Sequence, residues 1–331
     1  MVEDKEIWSC LTCKLCTELC PSFVDFLGFI EALRKEAIQR GNTGISAHGN
    51  IFQSVRDAMI GEINQNRKRI LPKDMKVSDS GEVLLFLGCQ PYFDILFKDI
   101  GYSGKEMVAN VVGILNKAGI TPAILPNEVC CGHDALWSGK NDVFKILANK
   151  NIEMIKKSGA KKIITFCPEC ASVLKNEYPK MGLELEVQHI TEFVNGLIED
   201  GKLKFSPKKS VVTYHDPCRL GRHLEIYDEP RRILSEIPDL ELKEMESNKS
   251  QSICCGTTLW SNCDYVSEAI RVSRLKEAQD TGAKTVITAC PKCYIHFSCT
   301  MSCNPEERDL EPDLKIKDIT QLIAETMEVV K

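Results

Sequence analysis

The feature that most limits what this chain can become is a cysteine pattern that occurs twice. Cys89, Cys130-Cys131-Gly132 and Cys167-Pro168-Glu169-Cys170 are followed, in the same order, by Cys218, Cys254-Cys255-Gly256 and Cys290-Pro291-Lys292-Cys293. The stretch Gly159–Phe166 before the first CxxC returns as Gly282–Ala289 before the second, sharing Gly-Ala-Lys and Ile-Thr. Trp137 and Trp260 follow the two CCG triplets, and His189-Ile190-Thr191-Glu192 returns as Asp318-Ile319-Thr320-Gln321. Equivalent landmarks lie 129, 124, 123 and 129 residues apart in chain order, so one unit has been duplicated. The copies span 81–208 and 209–331, and 1–80 stands outside the repeat.

Each copy alternates strands with helices. Lys161–Phe166 and Lys284–Ala289 are short apolar runs rich in β-branched residues, opened by a glycine turn and closed by Cys-Pro, as a buried parallel strand requires. Val83–Leu87 and Val211–Tyr214 read as strands leading to Cys89 and Cys218. Asp142–Lys157 and Tyr265–Asp280 carry apolar residues three and four apart, the pattern of a crossover helix. The expected class is α/β, with two units related by a pseudo-twofold. In the N-terminal part, Asp25–Arg40 reads as a helix and the polar Asn64–Ser80 as a linker.

Seventeen cysteines need disulfides, metal or redox chemistry to explain them. A secreted disulfide scaffold is usually short and preceded by a signal peptide, whereas this chain opens Met1-Val2-Glu3-Asp4-Lys5 and has 331 residues. CxxC and CC pairs in such a chain point to metal ligands in a reducing, cytoplasmic setting. The net charge of −5 is dispersed without a basic block, so no nucleic-acid partner is expected. The longest apolar run, Val83–Leu87, cannot span a bilayer, so an integral membrane protein is not expected either.

Cys10-x2-Cys13-x2-Cys16-x3-Cys20-Pro21 has the spacing of a bacterial ferredoxin run, in which three thiolates from one tight loop grip three corners of a cubane 4Fe–4S cluster. In two-cluster ferredoxins the fourth cysteine serves the cluster of a second run, which this sequence lacks. The fourth ligand here is therefore Cys20, Cys299, Cys303 or a residue of a partner subunit. Each repeat then supplies five cysteines. Side chains of adjacent residues diverge on an extended backbone and fit one tetrahedral zinc poorly, whereas a larger multi-iron cluster can take both. Gly132 and Gly256 would relieve the sharp turn such a pair needs. Two four-cysteine zinc sites with a spare thiol apiece are the competing reading.

The arrangement C-x40-CCG-x34-CxxC followed by C-x35-CCG-x33-CxxC resembles the duplicated cysteine-rich CCG domain, which includes the catalytic subunit of heterodisulfide reductase and iron–sulfur subunits of glycolate, lactate and glycerol-phosphate oxidoreductases. Tyr214-His215-Asp216-Pro217-Cys218-Arg219-Leu220-Gly221-Arg222-His223 is the most family-like stretch, and Trp8–Gly41 resembles the second ferredoxin run of the reductase's small electron-carrying subunit. The whole chain is similar to the fused D-type subunit. Two departures stand out: Thr257-Thr258-Leu259-Trp260 replaces a commonly Gly-rich segment, and Arg219 replaces a common His. The resemblance implies two Rossmann-like CCG domains preceded by a small α-helical ferredoxin-type module. It also implies two noncubane 4Fe–4S clusters, one on Cys89, Cys130, Cys131, Cys167 and Cys170, the other on Cys218, Cys254, Cys255, Cys290 and Cys293.

The implied activity is reduction of a small-molecule disulfide of the CoM–CoB type. Disulfide cleavage takes two electrons and iron–sulfur clusters deliver them singly, so two facing clusters can each supply one. The ferredoxin-type cube would pass electrons in from other subunits of a redox complex, flavin- or ferredoxin-linked. The alternative is an electron-transfer subunit of a flavin dehydrogenase or quinone-linked complex, without its own substrate site. His215, His223 and His133 are candidate proton donors, set against structural hydrogen bonding. Arg219 and Arg222 would neutralise cluster charge or grip an anionic substrate, or else form structural ion pairs. Lys292, inside the last CxxC, would tune a cluster potential by its charge, or be a solvated surface lysine. Cys263 reads as buried packing, and Trp137 and Trp260 as walls over the clusters.

Overall fold

A computed structural model describes residues 2–22, 24–44, 46–261 and 263–330. Within them the strands are β1 (Val83–Phe86), β2 (Lys162–Thr165), β3 (Glu186–His189), β4 (Leu203–Phe205), β5 (Ser210–His215), β6 (Leu240–Leu242), β7 (Thr285–Thr288), β8 (Lys315–Asp318) and β9 (Met327–Val329). The β-branched runs before each CxxC become the central strands β2 and β7, flanked by parallel neighbours on both sides. The first sheet runs β1-β2-β3 and the second β6-β5-β7-β8, all parallel. The counterpart of β6 in the first half is the segment at Ala123, which bridges Leu84 in parallel. Crossover helices lie at Asn141–Ser158 and Tyr265–Asp280, with Asp264 capping the second through Ser267 N–H.

The halves are joined reciprocally. Helix Ile190–Glu199 of the first half packs on Asp228–Ser235 of the second, while Ile319–Thr326 of the second packs on Gly104–Lys117 of the first. One core runs through both, with Leu85, Leu87, Ile164 and Phe166 continuous with Tyr214, Ile287, Leu322 and Ile323. β4 and β9 end the two copies and pair antiparallel, Lys204 opposite Glu328. Antiparallel pairing of equivalent segments is what a local twofold produces.

Residues before 81 are not a detached arm. Arg34, on helix Phe26–Gln39, is fully buried and donates to Ile7 O (3.0 Å), Cys10 O (2.7 Å) and Trp137 O (3.0 Å). It ties the Cys10 loop to the first half. The polar stretch expected as a linker is also packed down: Arg67 is buried and donates to Glu128 (3.2 Å), whose carboxylate accepts Leu87 N–H and Gly88 N–H. Glu128 thereby fixes the turn that delivers Cys89. No helix among the described residues is long and apolar enough to cross a membrane.

Candidate metal centre

In each half, three strand or loop ends deliver the five cysteines. Cys89 follows β1 and caps helix Gln90–Leu96, while Cys167 caps helix Pro168–Asn176, which carries Cys170 in its first turn. Cys130 and Cys131 precede Gly132, whose φ of 89° permits the turn into helix His133–Trp137; Gly256 has the same positive φ, 82°, but leads into a loop. The first-half thiols form a hydrogen-bonded chain, Cys89 to Cys130 to Cys131 to Cys170 to Cys167. Hydrogen bonds with Cys131 and Cys89 pull Cys130 well below an ordinary thiol, while the same sharing, with burial, pushes Cys89 and Cys131 well above it.

The second half repeats the pattern through Cys218, Cys254, Cys255, Cys293 and Cys290. Burial holds Cys290 up at about 11. Cys255 is pulled well below an ordinary thiol by Cys254 and Cys293. Arg274 Nε donates to His215 Nδ1 (3.1 Å), a His215 ring nitrogen lies within 4.8 Å of the Cys255 and Cys293 sulfurs, and His296 Nδ1 lies 3.4 Å from Cys255 Sγ. Ten thiols in two groups, eight of them buried and Cys89 and Cys218 partly so, with all the chain's cysteines free, make a donor set that needs soft cations to balance it. They fit a multi-iron group in number and in softness.

The two groups face one another. Glu169 and Lys292 occupy the same position in the two CPxC motifs and form a buried ion pair of 2.6 Å across the halves. Lys292 also binds Asp134 (2.7 Å) and lies over the Trp260 ring. Burial alone would lower the lysine's pKa, but Asp134 and Glu169 outweigh it and hold it well above the usual value. The solvated-lysine reading is thereby replaced: Lys292 is 6 % exposed. Asp134, Glu169 and His296 were not singled out from sequence, although the alignment of Glu169 with Lys292 in the repeat carried the signal.

The expected proton donors and anion grips are otherwise engaged. His133 Nε2 accepts from Arg219 Nε (2.8 Å), so its Nδ1–H goes to Asp134 (2.9 Å). Burial pushes His133, His215 and His223 below the ordinary histidine value, so all three are neutral at pH 7. Arg219 spends its guanidinium on Thr12 O (2.7 Å), His133 and His223 and stacks on Trp137. Arg222 donates to Cys13 O (2.6 Å) and Ser252 O (2.7 Å). Among the described residues neither arginine forms an ion pair there; both clamp the backbone of the N-terminal cysteine run onto the second half.

That clamp breaks the symmetry between the halves. Cys13 hydrogen-bonds with Cys254, which holds it down at about 5. Cys10 lies near Cys13 and Cys16, and Cys16 is exposed. Cys299 and Cys303 group with Cys263 instead. The first group opens on a cavity lined by Phe52, Arg56, Phe93, Cys89, Cys130 and Trp260. Phe52 stacks on Trp260 at 4.1 Å. Leu259 and Trp260 have φ of 58° and 54°, the region glycine enters freely, in the segment that is commonly Gly-rich in the CCG pattern.

The profile of the cysteine-rich domain named CCG matches this chain twice, over residues 83–175 and 212–298. The chain belongs to the CCG family. It is 32% identical over 97% of its length to the D-type subunit of dihydromethanophenazine:CoB–CoM heterodisulfide reductase from Methanosarcina barkeri, covering 78% of that protein. It is 30% identical to EtfAB:quinone oxidoreductase of Syntrophomonas wolfei, covering 99% of this chain and 47% of that one. A hypothetical Helicobacter pylori protein of known crystal structure has the same fold, with TM-score 0.56 and 14% identity, over 97% of this chain and 62% of that one. This CCG protein is an iron–sulfur oxidoreductase subunit.

Proposed function

We propose that this chain reduces a disulfide of the CoM–CoB type, at paired centres contributed by its two repeats. The observation that carries the reading is the Glu169–Lys292 pair, which joins equivalent cluster loops and so turns both thiol groups toward one interface. Cys89, Cys130, Cys131, Cys167 and Cys170 would hold one noncubane 4Fe–4S cluster, and Cys218, Cys254, Cys255, Cys290 and Cys293 the other. Cys10, Cys13, Cys16 and Cys20 would hold a cubane within 1–80, ahead of CCG domains at 81–208 and 209–331. When bound, such clusters supply electrons one at a time, two of which cleave a disulfide.

The chain's own residues divide the remaining work. Phe52, Phe93 and Trp260 line an apolar entry beside Cys89 and Cys130, excluding water, and buried Arg56 marks its polar edge. Lys292 holds a positive charge next to the first thiol group, favouring thiolate there as negative charge builds. His215 and His296 lower the basicity of Cys255 by hydrogen bonding. Arg219 and Arg222 position Thr12 and Cys13, so electrons from partner subunits would enter through the second half and the substrate through the first.

The test uses anaerobically purified, iron-loaded protein reduced by a low-potential viologen. Adding CoM–CoB disulfide is expected to reoxidise the dye with release of two thiols. Intact clusters without turnover would assign the chain to electron transfer alone.

A further inference from the structure

Three cavities lie in a row beside the first thiol group, each sharing side chains with the next. The innermost is lined by Cys89, Cys130, Cys131 and Cys170, with Lys292. Cys89, Phe93, Cys130 and Asp134 also line the aromatic entry. Gln53, Arg56, Asp134 and Leu259 are shared between that entry and a third cavity, which adds Ser138, Lys140 and Ser261. A path therefore leads from the thiols, along an apolar stretch, to a polar end chamber.

The end chamber holds more positive charge and more hydrogen-bonding capacity than its own residues use. Arg56 is 6% exposed and gives both Nε (2.9 Å) and Nη2 (2.6 Å) to one oxygen of Asp57, whose side chain is 48% exposed. Among the described residues Arg56 Nη1 has no hydrogen-bond partner, and the Lys140 ammonium has neither a hydrogen bond nor an ion pair. Lys140 is close enough to Arg56 for their charges to repel; burial and that repulsion push the ammonium's pKa below its ordinary value, and Asp57 offsets only part of the effect. Asp134, the other carboxylate on this wall, is taken up by Lys292 and His133. Gln53 is 8% exposed, and its buried Oε1 is without a partner among the described residues. Buried polar atoms are normally satisfied, so an orphaned amide on the same wall as two cations marks the place of a ligand group. By turning about its last side-chain torsion the amide presents either C=O or N–H to that group.

We propose that Arg56, Lys140 and Gln53 form an oxyanion subsite, which selects disulfides carrying a carboxylate or sulfonate at the far end of one arm. The arm would lie along Phe52 and Phe93, with its sulfur nearest Cys89 and Cys130. Guanidinium and ammonium groups bind an oxyanion through charge-assisted hydrogen bonds, about twice as strong as neutral ones. The apolar approach keeps these charges poorly hydrated, which strengthens the attraction. The ligand's S–S bond rests on the function proposed above, whereas the subsite itself is a statement about binding.

Oxidised, iron-loaded, full-length protein has no electrons to give a disulfide, so binding is measured on it apart from turnover. Anaerobic calorimetry compares dithiodipropionate and dithiodiethanesulfonate with the neutral dithiodiethanol and the cationic cystamine. At least one of the two anions is expected to bind about tenfold more tightly than the neutral disulfide, and cystamine less tightly than either anion. The tighter of the two anions identifies the oxyanion. Lys140→Met should remove most of that preference, Arg56→Gln should do the same, and Lys140→Arg should retain it. Lys140 is only partly buried, so its replacement tests charge rather than folding. No binding, equal affinities for all four disulfides in the wild type, or an unchanged preference in Lys140→Met would overturn the proposal. Charge-selective binding without reduction, once a viologen supplies electrons, would leave the subsite standing and remove the disulfide-reducing function. Reduction of all four at equal rates would do the reverse.

Discussion

Replacing Lys292 by Met removes the ammonium that Asp134 and Glu169 share at 2.7 and 2.6 Å. All three side chains are largely enclosed, at 7%, 20% and 10% exposure. Deleting one partner of a buried pair costs about 3–5 kcal/mol, because the remaining charge has lost both water and partner. An exposed pair would cost under about 1 kcal/mol. The pH dependence separates the two cases. In the wild type, burial raises the Asp134 carboxyl but Lys292 and His133 together outweigh it, so the pKa is held down. Such a group contributes stability above the unfolded value of about 4, lost as pH falls through the folded value. In Lys292→Met burial prevails, the carboxyl's pKa rises, and stability instead falls as pH climbs above about 4. The wild type's advantage should therefore widen from about pH 4.5 to about pH 7.5. Anaerobic urea unfolding of iron-loaded protein, followed by tryptophan fluorescence at both pH values, measures it. A gap under about 1 kcal/mol, equal at both, would refute the reasoning. The triple variant D134N/E169Q/K292M should recover most of the loss; if it does not, charge is not the cause.

Three further outcomes follow from the geometry. Burial pushes Glu128 up to about 7 against Arg67 and two backbone N–H groups, so its contribution is full at low pH and lost as pH rises through that value. Glu128→Gln should flatten the fall in melting temperature between about pH 4.5 and 7.5. Cys13→Ser should disturb the electron paramagnetic spectrum of the cluster proposed for the second half, because Cys13 touches Cys254, whereas Cys16→Ser should leave that spectrum unchanged. Trp260→Ala should cost about 3–5 kcal/mol, since Trp260 packs with Phe52, Phe93 and Phe97, and thermal unfolding would show it.

Much of the site was legible because spacing alone constrains metal ligands. A CxxC at the end of a buried strand puts both sulfurs in one helical turn wherever the strand goes, and the repeat revealed that this happens twice. β2, β7 and the two crossover helices followed from periodicity for the same local reason. The roles of Arg219, Arg222 and His133 were not legible. Their residue types suit substrate binding equally well; Thr12 and Cys13, some 200 positions away, arrive against the two arginines, and Arg219 with Asp134 then occupies both ring nitrogens of His133. Lys292 was ambiguous for a related reason: a lysine next to two cysteines is solvated unless something covers it, and the cover comes from the other repeat.

The sequence by itself therefore determined the number of units, their α/β character and the delivery of the ten repeat thiols at strand, loop and helix ends, because these depend on neighbours within a few residues. Only the tertiary structure decided that the two thiol groups face each other through Glu169 and Lys292, that the N-terminal run docks on the second of them, and that the first opens to an aromatic cavity. Those outcomes rest on desolvated charges and apolar surfaces meeting across long chain separations. Burial makes such contacts strong or costly, and no local pattern states which surfaces will be buried together.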